Sequence, residues 1–220
     1  MPRALIVHAH PEPDSFCTAQ MHAARGALQA QGYEVEVSDL YALGWHAALD
    51  RHDVTHAVQA PFKPQAEQQR AAQAGTFAPE LQAELDKLRR AEVLVFSFPL
   101  WWFSLPALLK GWVDRVFAMG EVYGAGRGTY DQGVFRGRRA LLLLTTGGPE
   151  AAYGPGGRNG ELLTLLQHVH HGMLWFCGYT VLAPVVGYAP ARQSPEARAA
   201  QLQAVVQAFG ALESRPVLYG

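Results

Sequence analysis

Residues 92–118 read EVLVFSFPLWWFSLPALLKGWVDRVFA, and their reading decides the fold. Val93–Phe98 is apolar on both faces and rich in branched and aromatic residues, so it reads as a strand covered on two sides. Pro99 stops it and a short aromatic turn follows. Apolar residues then return at helical spacing over 105–118, with Pro106 in the first turn, where a missing N–H costs nothing. A doubly covered strand that feeds a helix is half of a βαβ unit.

The same alternation extends in both directions. Residues 3–8 (RALIVH) and 138–144 form apolar strands, and 33–38 (YEVEVS) alternates as a strand. Residues 16–31 carry Met21, Ala24 and Leu28 on one helical face, and Gly32 ends that helix. Helix 79–90, helix 159–176, strand 179–187 and helix 195–213 complete the series. These elements predict an α/β, flavodoxin-like three-layer sandwich, with a five-stranded parallel sheet in the order 2-1-3-4-5. Residues 43–78 lack a sustained core stripe, so the chain reads as one domain over 1–220 with an insertion at about 43–78.

Bulk properties exclude several classes of function. Hydrophobic residues make up 49% of the 220, which rules out a disordered chain, and a net charge of -1 supplies no basic field for nucleic acid. No run approaches the roughly 18 consecutive apolar residues of an integral membrane segment. Two cysteines, Cys17 and Cys177, lie in different elements and fit a reduced, cytoplasmic protein better than a disulfide framework.

Ligands of open parallel sheets bind at the carboxyl ends of the strands, which directs attention to three loops. The first, His10-Pro-Glu-Pro-Asp-Ser15-Phe16-Cys17, opens a helix whose unpaired N–H groups suit an anion. Read alone, Asp14 or Ser15 serves equally as an ordinary N-cap. The second, Pro99-Leu100-Trp101-Trp102-Phe103, offers aromatic walls for a flat heterocycle, or else core or interface packing. The third, Thr145-Thr146-Gly147-Gly148, leaves backbone N–H groups uncovered, and Tyr153, Arg158 and Asn159 follow it. The first loop contains no glycine, so the dinucleotide-binding glycine fingerprint is absent.

Together the segments ALIVHAH with SF, SDLYAL, FPLWWFSLPALLKGWVDRVF, TTGG with Tyr153, and FCGYTVLAP resemble the NAD(P)H:quinone oxidoreductase family over residues 3–213. The resemblance implies FAD as cofactor (FMN is the alternative) and NAD(P)H as electron donor. It also implies a quinone-like acceptor, a homodimer and a ping-pong transfer of hydride. It assigns the phosphates to His10, Ser15, Phe16 and Cys17, although the family commonly has Asn at Cys17. Pro99, Leu100, Trp101, Trp102 and Phe103 would line the ring, with Trp101 standing where some members have Gln. Thr145, Thr146, Gly147 and Gly148 would meet its pyrimidine side, and Arg198 the adenosine or phosphate part. Catalytic roles fall to Tyr153, Gly147, Gly148 and Asn159. Asn159 replaces a histidine of the best-known animal members, and an amide cannot carry a relayed proton. The chain ends at Gly220, short of the C-terminal extension of longer members.

Other readings differ in chemistry or class. An azo- or nitroreductase would use the same loops, and a flavin-binding regulatory subunit of a membrane transport system would share the PLWW and TTGG blocks. No metal site is assigned. His168 and His171 have the i, i+3 spacing of a helical ligand pair, but Trp175 stands where some relatives place a metal-binding histidine.

Overall fold

The computed structural model describes residues 1–220. The alternation of strand and helix is realised as β1 (Arg3–His8), α1 (Phe16–Ala30), β2 (Glu34–Asp39), α2 (Pro64–Ala74), α3 (Pro79–Arg90), β3 (Val93–Pro99), α4 (Ala107–Val116) and β4 (Arg139–Thr146). Short helices α5 (Leu162–Leu165) and α6 (Gln167–Val169) follow, then β5 (Thr180–Leu182), β6 (Val185–Tyr188), α7 (Pro195–Gly210) and β7 (Val217–Tyr219). The sheet order is β2-β1-β3-β4-β5-β7, with β6 also paired to β4. All pairings are parallel except β5 with β7.

The three-layer arrangement follows from alternation along the strands. Leu5, Val7, Leu94, Phe96, Leu142 and Leu144 join one core beneath α3 and α4. Ala4, Ile6, Val93, Val95, Leu141 and Leu143 join a second core beneath α1 and α7. Each central strand is therefore buried on both faces, as a parallel sheet requires.

The expectation of five strands needs correction, because the sheet has seven. The single strand expected at 179–187 is two strands, both against β4. Between them the register advances by one extra residue, from Ala140↔Val181 to Leu143↔Val185. The break falls at Ala183-Pro184, where proline has no N–H for the ladder. There Arg215 donates to both exposed carbonyls, Ala183 O at 2.7 Å and Pro184 O at 2.9 Å. That clasp leads directly into β7, which has an antiparallel partner in β5 and closes the edge.

The helix expected over 159–176 is also broken. It forms as α5, α6 and a π-helical turn over His170–Trp175. The wider turn lets His171 and Trp175 reach Tyr130 and Tyr219, and Trp175 stacks on Tyr219 at 5.3 Å. Such turns recur at functional sites.

Residues 43–78 are fastened rather than loose. His56 bridges Thr76 Oγ1 and Glu67 Oε2, each at 2.7 Å. Arg115 of α4 donates to Asp53 Oδ1 and to the His46 carbonyl, and its guanidinium lies 4.3 Å from the Trp45 ring centre. The backbone of Ala47 comes so close to Gly111 of α4 that any side chain there would collide with it.

Candidate functional site

All three loops lie at the carboxyl edge of the sheet, after β1, β3 and β4. In the first, Ser15 is the N-cap of α1: its Oγ accepts the Thr18 N–H at 3.1 Å. The amides of Phe16 and Cys17 come before the helix has partners for them and remain available as donors. His10 Nδ1 lies 3.0 Å from the Glu12 nitrogen and 3.1 Å from the Glu12 carbonyl oxygen, so the loop's own backbone holds that side of the ring and leaves Nε2 free. The Cys17 thiol turns inward toward the Thr145 and Ser97 side chains, and burial pushes it up to about 12. Any contact of Cys17 with an anion must therefore come from its backbone.

In the second loop the chain turns back at Trp101–Ser104. Trp102 and Phe103 both occupy left-handed backbone, at φ 50° and 60°, an arrangement that costs non-glycine residues energy. The turn leaves Trp101 41%, Trp102 95% and Phe103 43% exposed, so these rings are not core residues. Ser104 secures it by donating to His168 Nε2 at 2.9 Å, while His168 Nδ1 donates to the Leu165 carbonyl at 3.0 Å.

The third loop owes its shape to Gly148. A Cβ built there would sit 3.2 Å from both Asn159 Nδ2 and Tyr153 Cε2, so the backbone is wedged between the two side chains. Open space surrounds Gly147. Thr146 Oγ1 donates to the Gly148 carbonyl at 2.8 Å and is thereby occupied within the loop. Tyr153 is buried, with its ring centre 6.3 Å from that of Tyr188. Burial, followed by Glu150 and Tyr153, raises the Tyr188 phenol.

The loops also touch one another. The ring centres of His10 and Trp101 lie 6.3 Å apart. The Leu100 N–H donates to the Thr145 carbonyl at 2.8 Å. A cleft of about 500 Å³ is lined by His10, Asp14, Ser15, Phe16, Cys17, Ala19, Thr145 and Arg198, together with Pro190 and Ala191, so one carboxylate stands among the donors. Arg198 comes from the first turn of α7, close behind Pro190 and Ala191 and more than fifty residues beyond Thr145. The cleft thus combines helix amides, an imidazole and a guanidinium, a donor set suited to phosphate.

The amino-acid pattern agrees with this geometry. A family profile of flavodoxin-like fold matches residues 2–212. The chain belongs to that family. Within it, the guinea pig (Cavia porcellus) NAD(P)H dehydrogenase [quinone] 1 is 41% identical over 198 residues, spanning 89% of this chain and 72% of the relative. The human ribosyldihydronicotinamide dehydrogenase [quinone] is 40% identical, over 89% of this chain and 85% of its own. A crystal structure of a candidate quinone reductase from Klebsiella pneumoniae superposes with a TM-score of 0.94 at 38% identity, covering 99% of this chain and 87% of that one.

Several residues around the site were not foreseen. Pro190 and Ala191 form one wall of the cleft, and Tyr188 packs beside Tyr153. Beneath the first loop lies a fully buried group, His8 with Ser97 and Thr18. His168 and His171 have separate partners, the first Ser104 and the second an aromatic cluster. No helix is long and apolar enough to cross a membrane.

Proposed function

We propose that the chain is a flavin-dependent oxidoreductase that transfers two electrons from NAD(P)H to quinones or similar acceptors by a ping-pong route. Its resident cofactor is FAD and its working form a homodimer. The observation that carries this reading is the contact of the three loops: an anion-binding cleft, an aromatic turn and a pair of bare glycines meet at one sheet edge. The names of the relatives, which are dehydrogenases of the quinone type, support the same chemistry.

The residues fit a flavin. A side chain at Gly148 would press on Asn159 and Tyr153, so glycine presents backbone there, Gly147 faces open space, and the cleft supplies donors without a lining lysine. A bound flavin supplies a ring that takes up a hydride and passes on the electron pair. The Phe16 and Cys17 amides, His10 Nε2 and Arg198 would hold its phosphates. Pro99 to Phe103 would back the ring, and Thr145 to Gly148 would meet its polar edge. The Gly147 and Gly148 amides with the Tyr153 hydroxyl are donors for negative charge that develops there. Asn159, whose amide lies beside Gly148, offers hydrogen bonding at this edge and relays no proton. With FAD as the cofactor, Pro190 and Ala191 would wall the part of the cleft next to Arg198. Trp102, at 95% exposure, offers a surface for the second copy to cover.

The test is an initial-rate study with NADH or NADPH and a simple benzoquinone, using flavin-loaded protein. Parallel double-reciprocal lines are expected, since one site serves both substrates in turn. Loaded protein that reduces no quinone with either nicotinamide would refute the assignment.

A further inference from the structure

The first loop stands on an unusual foundation. After Arg3, β1 is apolar up to its last residue, His8, which is completely buried between β3 and α1. Its Nδ1 lies 3.0 Å from Ser97 Oγ of β3, and its Nε2 lies 3.1 Å from Thr18 Oγ1 of α1. Thr18 Oγ1 also donates to the Glu12 carbonyl at 3.1 Å and meets Ser15 Oγ at 2.9 Å.

One arrangement of the protons satisfies every side chain of the set. Thr18 has one hydroxyl proton, and the Glu12 carbonyl, an acceptor only, takes it. Thr18 Oγ1 then receives the protons of Ser15 Oγ and His8 Nε2. With its proton on Nε2, the imidazole accepts at Nδ1, and Ser97 Oγ supplies that bond. Every polar side-chain atom of the set is thereby paired, which low-dielectric surroundings demand. Burial holds His8 down to about 4, so the ring is neutral and the pattern stable at ordinary pH.

We propose that His8 is a positioning residue: it fixes the His10–Cys17 loop in the shape that receives the cofactor's phosphate. This rests on the flavin-binding reading above. The ring itself does not line the cleft. It acts through Thr18, which anchors the Glu12 carbonyl at the middle of the loop and the Ser15 cap at its end. Ser97, on the neighbouring strand, gives the imidazole its fixed reference. Residues in the loop supply the donors, and His8 sets where they point.

The role is tested by titrating apoprotein with FMN and with riboflavin, which lacks the phosphate, while following the quenching of flavin fluorescence. His8→Leu removes the imidazole. His8→Leu/Ser97→Ala also removes the hydroxyl that would be left without an acceptor, so a folded protein is available if the single variant fails to fold. Both variants are expected to lose about tenfold or more in FMN affinity, the scale of one charge-assisted hydrogen bond, with riboflavin affinity within about threefold of wild type. Thr18→Ser, which keeps the hydroxyl, should retain FMN affinity. Equal losses for both ligands would mean general destabilisation, and unchanged FMN affinity would mean no role; either result overturns the proposal. A wild-type protein that binds neither ligand overturns the flavin reading itself.

Discussion

Tyr153 and Gly148 concentrate the chemistry of the third loop. The tyrosine is buried, and its hydroxyl lies 3.6 Å from where a Gly148 side chain would begin. Tyr153→Phe keeps the ring and removes one donor from the developing charge. Losing one such donor costs about 10²-fold in other enzymes, so at least one half-reaction in stopped-flow should slow by about that factor while flavin content stays the same. Gly148→Ala acts differently, forcing Asn159 and Tyr153 apart. Purified Gly148→Ala protein is expected to carry clearly less flavin than wild type, measured by absorbance after denaturation. At this scale, much was legible in the sequence because paired glycines, clustered tryptophans and a proline-bounded turn are conspicuous. Ser15 and Thr146 were legible only by identity, since their hydroxyls are spent within their own loops. His8 was hidden because its meaning comes from Ser97, 89 residues away, and nothing local marks that pairing.

Among the elements, residues 43–78 and α4 are joined through a buried charge. Arg115 is almost completely enclosed and pairs with equally enclosed Asp53 at 2.9 Å, with Glu80 at 3.3 Å on the outer side. Burial raises the Asp53 carboxyl and Arg115 opposes that rise. Removing only the cation leaves a carboxylate in a poorly solvated place. Arg115→Leu is therefore expected to cost about 3–5 kcal/mol in denaturant unfolding, and Asp53→Asn added to it should restore part of the loss. An unchanged midpoint in Arg115→Leu would show that the pair contributes nothing. The strands and long helices were legible because their period repeats over many residues, as with Pro79–Arg90. The split of β5 from β6, the π-helical turn and β7 were not. Each depends on a tertiary partner: Arg215 at the bulge, Tyr130 and Tyr219 around Trp175, and β5 for the last strand.

Across the whole molecule, two buried histidines couple stability to pH. Burial lowers both His8 and His170 to about 4 from 6.5. Asp39 partly counteracts this for His8, while His10 and His22 reinforce it; His168 reinforces it for His170. The unfolded chain therefore binds more protons between these values, and stability falls as pH drops from about 6.5 toward 4. The loss is on the order of 3 kcal/mol per histidine, and a series of urea melts from pH 7 to pH 4.5 should show it, with a smaller slope in His8→Leu/Ser97→Ala. A flat profile would mean that neither ring is held neutral.

Loops from three strands are proposed to form a single flavin pocket whose flavin a nicotinamide can reduce. The most direct measurement is the visible spectrum of the purified protein during anaerobic titration with NADH and then NADPH. A visible flavin band is expected that bleaches at about one equivalent of at least one nicotinamide and returns on adding quinone. A colourless protein that takes up neither FAD nor FMN, or a bound flavin that both nicotinamides leave oxidised, would contradict it.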